Sequence, residues 1–324
     1  MRLGRILVEK FSSELLEWLR ARAEVVVVDP WAEPDRWDAE VPQVDALISR
    51  KGRVTRRHIE LSGGRLRIVA RTGVGVDASR VDVDAAREHN VWVTNMPGSN
   101  AAAVAELTFA QMIALARHTH AADAAVRGKR WREGPRFVGA ELAGKTLGVV
   151  GMGDIGARVA LRGRAFEMAL LICDPYVPAS HVTALGGQWV GLEELFEKSE
   201  FLTLHCPLNA ETRHMVGERL LGRMKPSAYL LNLARGGIVD DAALVRCLEA
   251  KRIAGAAIDV METEPPPEDH PLFGLDNVLL TPHIGGSTRE AQARGERGAA
   301  EEVIRVLQGE KPRNAVVRGD KRRA

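Results

Sequence analysis

The sequence is poor in cysteine, nearly neutral, and without long apolar runs. Its three cysteines, Cys173, Cys206 and Cys247, form no CxxC pair. That excludes a disulfide scaffold and a cysteine zinc site, and points to a reducing cytoplasm. Forty-five Lys and Arg against 43 Asp and Glu leave a net charge of +2, too weak a field to hold nucleic acid or a membrane surface. No run approaches the roughly 20 apolar residues of a membrane helix. Met1–Val8 reads as a short strand before polar Glu9 and Lys10, with no apolar signal region. Repeats and low-complexity tracts are lacking apart from Pro265-Pro266-Pro267, read as a rigid loop. The basic stretch from Arg318 to Arg323, with Lys321 and Arg322, is expected to be merely solvated.

What the sequence has is length and alternation. At 324 residues it exceeds the size at which one core keeps growing, so two domains are expected. Apolar runs of strand length alternate with amphipathic helical stretches, the pattern of parallel sheets covered by helices. One series predicts strands at Arg5–Val8, Val25–Val28, Ala46–Ile48, Ile68–Ala70 and Val91–Val93. Its helices are predicted at Ser13–Ala21, Arg56–Leu61 and Asp82–Glu88. A second series predicts strands at Leu147–Val150, Leu170–Cys173, Phe201–Leu204, Tyr229–Asn232, Gly255–Ile258 and Val278–Leu280. Between them, alanine-rich Ala101–Val126 is expected to form one long connecting helix after Pro97-Gly98-Ser99-Asn100. A last helix is expected from Thr288 to Leu307, with no strand after it.

Gly151-Met152-Gly153-Asp154-Ile155-Gly156 follows a predicted strand and opens a predicted helix. Glycines there let a βα turn approach a pyrophosphate, and the helix start supplies unpaired N–H groups. Asp174, 18 residues after Gly156 and just past the second strand, suits the ribose hydroxyls and repels a 2′-phosphate, which favours NAD over NADP.

Three later stretches carry a resemblance. Asn232-Leu233-Ala234-Arg235-Gly236-Gly237, Asp259-Val260-Met261-Glu262-Thr263-Glu264-Pro265 and Thr281-Pro282-His283-Ile284-Gly285-Gly286 follow the glycine motif in that order. With Arg71-Thr72-Gly73-Val74-Gly75-Val76-Asp77 and Ala103–Thr108, they make the chain resemble the D-isomer-specific 2-hydroxyacid dehydrogenases over nearly its whole length. The resemblance implies an α/β chain of two doubly wound parallel-sheet domains. A Rossmann NAD-binding domain, residues 99–286, would be inserted into a flavodoxin-like substrate domain, residues 1–98 and 287–324. The substrate would bind in the cleft between them, and the protein would be a homodimer using Ala101–Val126 and Thr119–Phe137.

The same resemblance implies that His283 exchanges a proton with the substrate, that Glu264 hydrogen-bonds its ring, and that Arg235 binds the carboxylate and polarises the carbonyl. The roles suit the residue types. A carboxylate beside a histidine favours the protonated ring, and the planar fork of arginine fits a carboxylate through two bonds. Gly73, Val74 and Gly75 would receive the substrate carboxylate on backbone N–H groups. Gly151, Gly153, Asp154, Ile155, Gly156, Asp174, Cys206, Leu233, Ala234, Asp259, Gly285 and Gly286 would contact NAD.

The run from Gly285 to Gln292 and the end at Asn314-Ala315-Val316-Val317 look most like the phosphoglycerate dehydrogenase branch. Its substrate phosphate needs cations, for which Arg50, Arg53, Arg132 and Arg136 are candidates. The chain stops soon after Leu307, where longer members carry a regulatory domain, so serine feedback through such a domain is not expected. Glyoxylate or hydroxypyruvate reductases use the same three catalytic residues and are the alternative. Formate dehydrogenases fit less well because they place glutamine where this chain has Glu264. From another class, NAD(H)-sensing corepressor-like binding proteins share the fold.

Overall fold

The computed structural model describes residues 2–76 and 80–317; Asp77 and the basic stretch from Arg318 to Arg323 lie outside the described residues. The chain separates into two compact units, Met1–Asn100 with Gly286–Ala324, and Ala101–Gly285.

In chain order the first unit holds β1 (Arg5–Val8), α1 (Ser13–Arg20), β2 (Glu24–Val27), α2 (Pro34–Glu40), β3 (Ala46–Ser49), α3 (Arg56–Leu61), β4 (Ile68–Arg71), α4 (Val83–Glu88) and β5 (Trp92–Thr94). The second holds α5 (Ala101–Arg117), α6 (Thr119–Arg127), β6 (Thr146–Val150), α7 (Asp154–Ala165), β7 (Ala169–Cys173), α8 (Ala179–Ala184), β8 (Gln188–Trp189), α9 (Leu192–Lys198), β9 (Phe201–Leu204), α10 (Glu218–Leu221), β10 (Tyr229–Asn232), α11 (Asp241–Glu249), β11 (Gly255–Ile258) and β12 (Val278–Leu280). The chain then returns to the first unit with α12 (Arg289–Leu307) and β13 (Ala315–Val317).

Each sheet is buried on both faces, and the strand period explains how. Ile6, Val8, Ile48, Ile68 and Ala70 point to one face of the first sheet, where Leu15 and Leu19 of α1 and Ala299, Ala300, Val303 and Ile304 of α12 cover them. Their neighbours Leu7, Leu47 and Val69 point to the other, under Trp37, Ile59, Ala85 and Ala86. In the second unit Leu147, Val149, Leu170 and Ile172 face one core with α5 and α7. Val150, Leu171, Leu202, Leu204, Leu230 and Ile258 face the opposite one. Burying one such side chain contributes about 1.5–3 kcal/mol, so these continuous apolar runs are what hold each layer together.

The first sheet runs β13-β5-β4-β3-β1-β2 and the second β12-β11-β10-β9-β6-β7-β8. Strand order reverses between β1 and β3 in one and between β6 and β9 in the other. At such points the loops diverge and leave room for a ligand beyond the carboxyl ends.

Two expectations are corrected. The segment Ala101–Val126 is not one helix: it breaks at His118, which takes a left-handed backbone (φ 52°), into α5 and α6. A continuous helix would give the Ala116 carbonyl to the N–H of residue 120, but the N–H of Ala140 takes it at 2.8 Å. A strand does follow the last helix, for β13 pairs antiparallel with β5. Glu302, buried in α12, prepares it by accepting the N–H groups of Arg313 at 2.8 Å and Asn314 at 3.2 Å. Among the described residues no helix is long and apolar enough to cross a membrane.

Candidate active site

Of the candidate residues, Gly73, Val74, Gly75, Arg50 and Gly286 belong to the first unit and the others described below to the second. Gly151 closes β6 with φ +90°, a conformation that favours glycine. A Cβ on Gly156 would overlap the Gly151 carbonyl oxygen, whereas nothing lies near a Cβ on Gly153. The first and third glycines are thus required by the protein's own turn, and the second leaves open the face a ligand approaches. Gly153 caps α7 with no side-chain hydrogen bond, so the first N–H groups of that helix keep their capacity for an anion. Asp174 stands opposite the turn. Its carboxylate accepts the N–H of Met152 at 2.7 Å and of Tyr176 at 2.8 Å. Asp154 is exposed in the first turn of α7 and Ile155 packs against its core.

Cys206 follows β9 beside this turn, and burial pushes its thiol up to about 11, so it stays a neutral thiol. The sequence reading gives no role to its neighbour His205, yet the His205 backbone lies against Gly151. Its Nε2 is 2.9 Å from Thr203 Oγ1, its Nδ1 is buried without a hydrogen-bond partner, and burial pushes the ring from its ordinary 6.5 down to about 3.

The catalytic candidates come together on the loops after β10, β11 and β12. Leu233 and Ala234 are buried beneath the first loop. Asn232 Oδ1 accepts the Ala234 N–H at 3.1 Å and its Nδ2 donates to the Arg235 carbonyl at 2.9 Å, which shapes the turn that presents Arg235. The next residue must be glycine, because a Cβ on Gly236 would overlap the Met261 carbonyl. That contact draws the Arg235 turn against the loop carrying Glu264. The carboxylate of Glu264 meets His283 Nδ1 at 2.8 and 3.0 Å.

His283 itself has a left-handed backbone (φ 52°), a strained choice for a residue with a Cβ. Asp259, 1% exposed, holds it there. Its carbonyl accepts the His283 N–H at 2.8 Å, and its carboxylate accepts Ile284 N–H at 2.9 Å, Gly285 N–H at 2.8 Å and Thr281 Oγ1 at 2.6 Å. Gln111 of α5 then donates to Thr281 at 2.8 Å. Gln111, Thr281 and Asn232 are supports to which the sequence assigns no role of their own: Asn232 and Thr281 each open a motif, and Gln111 is a polar residue inside the apolar run Phe109–Leu115.

In the first unit, Gly73, Val74 and Gly75 follow β4. The Gly73 carbonyl accepts Met96 N–H at 3.0 Å and the Val74 carbonyl accepts Asn95 Nδ2 at 2.7 Å, leaving Val74 part-exposed. Arg50 is 3.7 Å from Glu296. Arg53 lines a separate open cavity of about 750 Å³ with Trp37 and Arg57. Arg132 is exposed, and Arg136 is 73% exposed and pairs with Glu133. Gly286 sits against Asn100.

Residues 109–285 match the family model for the NAD binding domain of the D-isomer specific 2-hydroxyacid dehydrogenases. The chain belongs to this family. It is 41% identical to D-3-phosphoglycerate dehydrogenase of Methanocaldococcus jannaschii over 278 residues, 86% of this chain and 52% of that one. It is 37% identical to hydroxypyruvate reductase of Thermotoga maritima over 301 residues, 92% of this chain and 96% of that one. Among solved structures the TT0316 protein of Thermus thermophilus superimposes with a TM-score of 0.87 at 36% identity, covering 97% of this chain and 100% of that one. The chain therefore spans about half the length of the phosphoglycerate dehydrogenase relative and nearly the whole of the other two.

Proposed function

We propose that this chain is an NAD-dependent dehydrogenase that interconverts a 2-oxo acid and a D-2-hydroxy acid. Its proposed substrate pair is 3-phosphohydroxypyruvate and D-3-phosphoglycerate. The observation that carries the reading is the Glu264 carboxylate held against His283 Nδ1 at 2.8 and 3.0 Å, on the loop that Gly236 draws to Arg235. The relative from Methanocaldococcus jannaschii supports the phosphorylated substrate by its name, and Arg50 supplies a partly exposed cation for it. The Thermotoga maritima relative favours a second reading, hydroxypyruvate as the acid.

The glycine turn, the uncapped start of α7 and Asp174 fit a dinucleotide: the turn and helix start would hold its pyrophosphate and Asp174 the ribose. Bound NAD supplies the hydride carrier. The protein's part is the proton and the charge. Because Glu264 occupies Nδ1, His283 exchanges its proton at Nε2: it donates to the oxygen as a 2-oxo acid is reduced and accepts from the hydroxyl in the reverse direction. Arg235 binds the carboxylate and stabilises negative charge on the reacting oxygen. Gly73, Val74 and Gly75 offer backbone N–H groups to the same carboxylate. Leu233, Ala234, Cys206 and Gly285 would line the nicotinamide side, and Asp259 acts by keeping His283 in its strained turn.

A panel of 3-phosphohydroxypyruvate, hydroxypyruvate and glyoxylate at equal concentration, followed by NADH absorbance, tests the reading. The phosphorylated acid is expected to give the highest kcat/KM. NADH binding without oxidation by any 2-oxo acid would instead mark a nucleotide-binding protein.

A further inference from the structure

The strand reversal between β1 and β3 is the place where a sheet of this order has room for an anionic ligand. Here the protein fills that place itself. Glu9, the residue after β1, is 3% exposed. Its Oε1 accepts the backbone N–H groups of Arg50 at 2.8 Å, Lys51 at 2.7 Å and Gly52 at 2.8 Å, and lies 2.9 Å from Ser49 Oγ. Three successive N–H groups converging on one oxygen form an anion nest.

The carbonyl groups of the same loop are held from the other side. Buried Arg71 donates to the carbonyl of Arg50 and, at 3.2 Å, to that of Gly52, and to Ser49 Oγ at 2.9 Å. Gly52 is further fixed because a Cβ there would overlap the Trp37 ring. The loop backbone is therefore pinned by an internal carboxylate and an internal guanidinium. The Arg50 side chain is not: it is 33% exposed and reaches Glu296 only at 3.7 Å. A rigid backbone thus carries a cation with freedom to turn to another anion.

We infer that Glu9 is a positioning residue, whose carboxylate occupies the nest at residues 50–52, fixes the root of Arg50, and so sets the affinity for the acid substrate. The inference rests on the reading of Arg50 as a substrate cation. Replacing the buried carboxylate by a methyl group leaves three N–H donors facing a void, so the loop relaxes and Arg50 loses its place.

The test uses the full chain with Glu9→Ala and Glu9→Gln. In Glu9→Ala, KM for 3-phosphohydroxypyruvate is expected to rise about tenfold, the scale of a lost charge-assisted hydrogen bond, with kcat and NADH binding nearly unchanged. Acetate replaces the atoms that the substitution removes. It should lower that KM and raise the thermal midpoint of Glu9→Ala, and do neither in the parent. Glu9→Gln keeps the shape with a neutral oxygen and should show a smaller rise in KM. An unchanged KM in folded Glu9→Ala, or acetate that raises the midpoint without lowering KM, overturns the positioning role. Should Glu9→Ala not fold, a parental KM in Glu9→Gln overturns it. A parent that reduces no 2-oxo acid would mean failure of the functional reading, and the acetate-dependent midpoint then still decides the nest.

Discussion

At the scale of single residues, His283 and His205 show the same side chain put to opposite uses by its surroundings. His283 is 40% exposed at its side chain and anchored through Nδ1, which leaves Nε2 for exchange with a ligand. Changing it to asparagine removes the proposed proton carrier and no proposed nucleotide contact. Turnover of His283→Asn is expected to fall by about 10²–10⁴-fold while NADH affinity, read by fluorescence titration, stays near the parent value. Equal turnover in the two proteins would take His283 out of the reaction. His205 is instead kept neutral by burial, down to about 3 against an ordinary 6.5. As pH falls below 6.5 the unfolded chain binds a proton there that the folded chain refuses. Its contribution is therefore present above 6.5 and lost on the way down toward 3. The loss is about 1.4 kcal/mol per pH unit, or roughly 2 kcal/mol by pH 5. Urea unfolding between pH 7 and 4.5 should show stability falling more steeply in the parent than in His205→Gln, the difference being about this slope; parallel slopes would refute it.

At the scale of elements, most strands were legible because they are buried on both faces and read as apolar runs, as in Leu147–Val150 and Phe201–Leu204, whereas the exposed two-residue β8 leaves no such run. The break at His118 and the strand β13 were not, and for one reason. Each depends on a hydrogen bond from a distant residue, Ala140 to the Ala116 carbonyl in one case and Arg313 to Glu302 in the other, and neither bond leaves a periodic mark. The site divides the same way. Arg235, Glu264, His283 and the glycine turn stand in compact motifs whose chemistry is legible, while the roles of Gln111, Thr281 and Asn232, the last two within those same motifs, show only in whom they meet in space. Gly236 joins the two kinds of information: its place in a motif is visible, and the reason for it is the Met261 carbonyl of another loop. Gly236→Ala must push the two loops apart. A stability loss of about 1–3 kcal/mol is expected, typical of an added methyl in a full space. The fall in kcat should be larger than that loss of folded protein explains, because Arg235 and Glu264 ride on the displaced loops. Denaturation and initial rates on one preparation check this, and unchanged kcat in a fully folded variant would sink it.

At the scale of the whole molecule, the segment after α5 presents apolar surface that its own chain does not cover. Val126 is 50% exposed, Trp131 77% and Val138 82%. A single exposed apolar side chain needs no explanation, but three within one short segment, one of them tryptophan, do. Nearby charges offer little in exchange: Arg127 with Asp123 and Arg136 with Glu133 are exposed pairs that satisfy each other locally. The resemblance to the family implies a homodimer through this region, and a second copy of the chain is the proposed cover. A stable pair would need to bury about 1,600 Å² in total, with tryptophan as the natural anchor. Light scattering is expected to give twice the chain mass for the parent. Trp131→Glu with Val138→Glu, exposed positions where glutamate costs the monomer fold little, should give the single-chain mass with the circular dichroism spectrum unchanged. A parent that runs as a monomer at micromolar concentration, or a double variant that remains a dimer, would place the contact elsewhere or remove it.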